Sequence, residues 1–94
     1  MDFVLFKGRD FSEPFNFKND QGKLIAMPNG EYKIVLERGT WAKEYTAGNG
    51  LLRSRTQIMW MIPAEESANF AYSTMYYTLY LNDEELARGV LRIQ

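Results

Sequence analysis

The 94-residue chain contains no cysteine and no histidine. Without thiols it can form no disulfide, offers no thiolate nucleophile, and cannot build a zinc–thiolate or iron–sulfur site. Without imidazole it lacks the commonest general base, the usual partner of a serine nucleophile and the commonest transition-metal ligand. No run approaches the ~20 apolar residues of a membrane-spanning helix. The opening Met1-Asp2-Phe3-Val4-Leu5-Phe6-Lys7 puts an acid at position 2 and does not read as a signal peptide. Neither sign of charge dominates: 11 Lys and Arg stand against 12 Asp and Glu, for a formal net charge of −1. That balance argues against a nucleic-acid partner, which calls for a basic patch or stripe.

What the chain has in quantity is aromatic and apolar surface. It carries 6 Phe, 6 Tyr and 2 Trp within a 46 % hydrophobic composition, too rich for a disordered tail. The length suits one core and one domain, residues 1–94. A small domain without covalent staples must hold itself together by burial.

The apolar residues recur with a period of two, in short runs separated by turn residues, which is the pattern of strands. Phe3 to Phe6 opens the series. Phe11, Phe15 and Phe17 then share one side of a second strand, with Pro14 marking it as an edge or a bulge. Asn19-Asp20-Gln21-Gly22 reads as a hairpin turn, with Lys23 to Met27 pairing back and Pro28-Asn29-Gly30 closing it. In Glu31 to Arg38, Tyr32, Ile34 and Leu36 face one way. A weaker strand follows over 42–46, and Ala47-Gly48-Asn49-Gly50 reads as a flexible loop between the two halves of the fold. Leu51 to Arg55 and Gln57 to Ile62 come next. In the latter, Ile58, Trp60 and Ile62 face one side and Met59 and Met61 the other, as in a central strand or one with a partner on its outer face. Pro63 to Phe70 changes character: a proline followed by Glu65 and Glu66 predicts one or two helical turns. Ser73 to Leu81 returns to alternation, Asn82-Asp83-Glu84 turns, and Glu85 to Gln94 closes the chain, with Gly89 expected as a bulge. The count is about seven strands and one short helical turn near residues 63–70, which predicts an all-β antiparallel sandwich or a small barrel.

Candidate chemistry is sparse. Glu65-Glu66 and Asp83-Glu84-Glu85 pair acids, but adjacent residues point apart, so helix-start charge and turn solvation explain them better than glycoside hydrolysis. No spaced Asp ladder accompanies them for Ca²⁺. The glycines lack the Lys-Ser/Thr or third Gly of a phosphate cradle. Arg53 and Arg55 read as a solvated strand face. The aromatic set is more informative. Trp41, Tyr45, Trp60, Tyr72, Tyr76 and Tyr80 exceed what one face per strand hides easily, and Tyr76 and Tyr80 lie opposite Tyr77 and Leu79. Such rings are covered by loops or a neighbouring strand, by a protein partner, or serve as a sugar platform.

Several stretches together resemble a family of small immunoglobulin-like modules in tailed-bacteriophage virions, accessory or adaptor parts of tails, tail fibres and baseplates. They are Gly8-Arg9-Asp10-Phe11 leading to Phe15-Asn16-Phe17, Asp20 to Leu24, Gly30 to Leu36, Ile58 through Ser67, and the closing Met75 to Leu81 with Arg88 to Ile93. Ser73-Thr74 replaces the Pro-Gly common before the family's closing hairpin, and Thr78 replaces its Asp. The resemblance implies an immunoglobulin-like β-sandwich, made in the host cytoplasm and resident in the virion, with no enzymatic site and no cofactor or metal. It would dock to a larger tail, fibre or head-to-tail protein, or to a second copy of itself, through an exposed sheet face or edge. The expected anchors are Met59, Met61, Tyr76 and Tyr80. The alternative expectation is a carbohydrate-binding β-sandwich that uses Trp41 and neighbouring Tyr rings.

Overall fold

The computed structural model describes all residues, 1–94. Eight strands and one helical turn follow in order: β1 (Asp2–Leu5), β2 (Phe11–Asn16), β3 (Tyr32–Arg38), β4 (Trp41–Ala47), β5 (Gly50–Arg53), β6 (Gln57–Ile62), α1 (Ala64–Ser67), β7 (Thr74–Leu81) and β8 (Glu84–Ile93). The all-β class is therefore as the alternation predicts. The hydrogen-bonded ladder is one eight-stranded sheet in the order β1-β8-β7-β3-β4-β5-β6-β2, nearer to the small barrel than to the sandwich of about seven strands among the expected architectures. Most neighbours are antiparallel; β1 runs parallel to β8, and β5 is parallel to β4 where they touch. The sheet curls until it is nearly closed into a barrel.

Closure follows from where the apolar side chains point. Leu5, Ile34, Leu36, Ile58, Trp60, Ile62 and Leu91 are all at most 1 % exposed and meet inside the curl. Trp60 is the hub, with the rings of Phe11, Tyr45 and Tyr77 at 5.2, 5.6 and 5.4 Å. The seam between the edge strands β1 and β2 has no ladder and is sealed by aromatics instead. Phe3 of β1 sets its ring edge-on to Phe11 at 6.1 Å and to Phe15 at 5.5 Å, both on β2. Pro14 sits within β2 and is tolerated because that strand pairs on one side only.

Two tight hairpins have the backbone that two-residue turns need. Gly39 (φ 59°) joins β3 to β4, and Asn82 and Asp83 (φ 49° and 68°) join β7 to β8. The expected flexible loop at 47–50 is a tight corner: Thr46 and Asn49 exchange backbone hydrogen bonds at 3.1 and 2.8 Å. Gly50 (φ 96°) lies against the Tyr45 ring, where no side chain would fit.

Other expectations change. Lys23 to Met27 makes only a single bridge, Lys18 to Leu24, rather than a strand. The extra residue in β8 is Leu86, because Leu79 pairs with Ala87 and Tyr80 with Glu85. Gly89 is no bulge; it pairs in register with Tyr77, and a Cβ there would fall onto the carbonyl of Met1. The helical segment is one turn, and its buried Ser67 hydroxyl donates to Arg9 O at 2.8 Å while accepting from Gly8 N at 3.0 Å. Asp10 Oδ1 in turn accepts from Ala64 N at 2.7 Å, so the β1–β2 turn and α1 fasten each other across one end of the barrel.

Candidate binding surfaces

The sheet distributes the expected anchors over three separate places. Tyr76 and Tyr80 stand on the outer face of β7. In register, Val90, Tyr76 and Glu37 form one row across β8, β7 and β3, and Arg88, Thr78 and Val35 form the next. Tyr76 is 63 % exposed with an apolar neighbour on β8. Tyr80 is half-buried, since Lys33 Nζ lies 5.5 Å from its ring centroid, held there by Glu44 at 3.6 Å and Asp83 at 3.5 Å. Tyr76 is thus the free ring of the pair and Tyr80 a covered one.

Met59 and Met61 lie on the outer face of β6, four strands away in the sheet order. They are half-buried, and Met59 sits in register between Leu52 and Pro14. Leu52, 61 % exposed, extends that apolar row; the alternation within β5 is too short to have marked it beforehand.

Trp41 is elsewhere again, at the α1 end. Its ring is 41 % exposed and edge-on to Phe70 at 5.8 Å. It borders a cleft of about 370 Å³ shared with Arg38, Asn69 and the Lys43–Glu66 ion pair. That pair occupies one of the acids singled out in the sequence; Glu85 pairs with Arg88 at 3.2 Å. No three carboxylates converge.

The opposite end of the barrel opens into a cavity of about 420 Å³ lined by residues 30–33, 46–47, 51, 53, 58 and 82–83. Leu51 and Ile58 are its buried floor. Arg53 is solvent-exposed, as expected, and stands at the rim of this cavity in register with the buried Ile58. Its guanidinium donates to Pro28 O at 3.2 Å and lies 5.3 Å from the Tyr32 ring centroid. The Tyr32 hydroxyl donates to the same carbonyl at 2.6 Å.

The groups whose protonation the fold alters are core tyrosines. Burial raises Tyr45 and Tyr32, the latter partly offset by the Arg53 charge. Burial first, and the charge of Asp2 second, push Tyr77 up to about 12. Tyr77 is neutral at ordinary pH and donates to Met1 O at 2.7 Å. The Tyr45 hydroxyl and Trp60 Nε1 are buried with no hydrogen-bond partner.

Compared with known families, with curated proteins and with solved structures, the chain matches none.

Proposed function

We infer that this chain is a non-enzymatic binding module that docks to a larger protein through the outer face of β8, β7 and β3. The observation that carries this reading is Tyr76: a large ring, 63 % exposed in mid-sheet, beside Val90 and diagonal to Val35. Exposed aromatic surface on a rigid sheet is what interface cores are built from, and Tyr is among the residues that dominate their energetics. The resemblance of Gly30 to Leu36, Ile58 to Ser67 and Met75 to Ile93 to virion modules supports the setting, a structural part of a tailed-phage particle. An immunoglobulin-like reading of the curled sheet is supported by its two halves, β1-β8-β7-β3 and β4-β5-β6-β2, facing each other across the Trp60–Tyr77 contact. The test is co-purification of the tagged chain with the products of neighbouring reading frames. A structural virion protein retained by the wild type and released by Tyr76→Ala supports the proposal. Retention unaffected by Tyr76→Ala removes this face, and retention of no neighbour's product removes the virion setting.

A second reading, carbohydrate binding, is favoured by the half-exposed Trp41 ring beside a cleft that also presents Arg38 and Asn69. Saturable quenching of tryptophan fluorescence by a glycan, lost in Trp41→Ala, would replace the first reading with this one.

A further inference from the structure

The geometry points to a carboxylate-binding site in the mouth of the barrel, independent of the docking face. Its volume, about 420 Å³, falls in the ~300–1,000 Å³ range of small-molecule sites, which favour the mouths of barrels. The charges lining it are unequally matched. Lys33 is spent on Glu44 and Asp83. Arg53 has no carboxylate within ion-pair reach: its polar contact is the Pro28 carbonyl, and the Tyr32 ring lies 5.3 Å away. Arg53 is thus a positioned cation whose fork has unused donors, and a fork of that geometry matches a carboxylate bidentately. Directly across the ladder from Arg53 is Ile58, which with Leu51 forms an apolar floor beneath it. The ligand is therefore an anionic head on a short apolar body. Glu31 stands on the rim with no cation paired to it and repels a second negative group, so the class is a monocarboxylate. Two sources share this chemistry, a free short-chain acid and the C-terminal carboxylate of a peptide.

The experiment is titration of the ¹⁵N-labelled full chain, followed through backbone amide shifts, with butyrate, with butyramide and with N-acetyl-alanyl-alanine. Saturable shifts at Lys33, Leu51, Arg53 and Asn82 with either carboxylate, and none with butyramide, are expected. Butyrate alone identifies a free acid as the source, the dipeptide alone a chain end, and both the shared head group. Arg53→Gln should weaken binding by about tenfold or more, the loss of a charge-assisted pair. Because Arg53 also steadies the Pro28 turn, Arg53→Lys provides the second variant: it keeps the charge, removes the fork and is expected to weaken binding as well. Equal response to butyramide, no saturable shifts with either acid, or undiminished affinity in Arg53→Lys would each overturn the proposal.

Discussion

Phe3→Ala tests whether an aromatic seal, in place of a hydrogen-bonded ladder, closes the sheet. Phe3 is 8 % exposed and its ring meets four others, Phe11, Phe15, Trp60 and Tyr77, with centroids 5.5–6.4 Å away. Truncating a buried phenylalanine to alanine costs ~3–5 kcal/mol, since the neighbours collapse only partly into the space left. Folded domains hold ~0.05–0.15 kcal/mol per residue, or about 5–14 kcal/mol for a chain of this length. The substitution therefore removes at least about a fifth of the total, and most of it if the domain lies at the low end of that range. The damage should also be local at first, because β1 has a ladder to β8 alone. Urea unfolding followed by tryptophan fluorescence reads the loss directly, as Trp60 lies 6.4 Å from Phe3. Amide exchange should quicken in β1 before it does in β3 or β7. Val4→Ala, on the outward side of the same strand, should cost under ~1 kcal/mol. A loss below ~1 kcal/mol for Phe3→Ala, or equal losses at both positions, would refute the seam.

Three further outcomes follow from the packing around Met1, Tyr45 and Tyr77. Gly89→Ala should cost at least ~1–3 kcal/mol by thrusting a Cβ against Met1 O and within 2.7 Å of the Tyr77 hydroxyl, whereas Ala87→Gly nearby should not disturb the N-terminal strand; amide shifts in β1 distinguish the two. Tyr45→Phe removes a buried hydroxyl with no partner and should leave the free energy of urea unfolding unchanged or raise it by about 1 kcal/mol; a clear drop would mean that the hydroxyl is bonded, for instance to a buried water. Stability should hold until about pH 10, the ordinary tyrosine value, and fall as pH rises through about 12. In that window the unfolded chain releases the Tyr77 proton and the folded one keeps it, and Tyr45 acts in the same direction; midpoints measured from pH 8 upward check the sign.

The period-two pattern says which side of a strand is dry, and in that respect the sequence is legible. Ile58, Trp60 and Ile62, and Met75, Tyr77 and Leu79, are buried as their alternation requires. The same pattern is silent on which strand lies beside which. Two sheets facing each other and one sheet curled on itself bury the same residues, so the joining of β4 to β5 at Gly48–Gly50 is not written in the alternation. The placement of the anchors fails for the same reason. Met59 and Tyr76 stand on the outer faces of their strands and Trp41 at the start of one, but only the strand order reveals that they occupy different walls. Gly89 misleads because a glycine in a strand signals either a bulge or a close approach. Here the approaching chain is its own N-terminus, 88 positions away in sequence, which no local pattern could announce.

How the edges meet also decides between the two docking modes open to an all-β module, a covered face or an added strand. Strand addition needs an edge with unpaired backbone groups and room for a guest. The edges here, β1 and β2, face each other across Phe3, Phe11 and Phe15, and β2 carries Pro14, which has no N–H to give. An incoming strand would have to lift Phe3 out of the core, at a cost comparable to the ~3–5 kcal/mol of the alanine substitution, before gaining any ladder. A partner seated on the outer face of β7 has no such cost, because Tyr76 is already in water and the strands beneath it are paired on both sides. On the proposed reading the seam that stabilises the barrel favours the face over the edges, and Phe3→Ala supplies the check: by loosening the seam it should increase self-association through strand pairing while Tyr76-dependent docking of the still-folded fraction stays as it was.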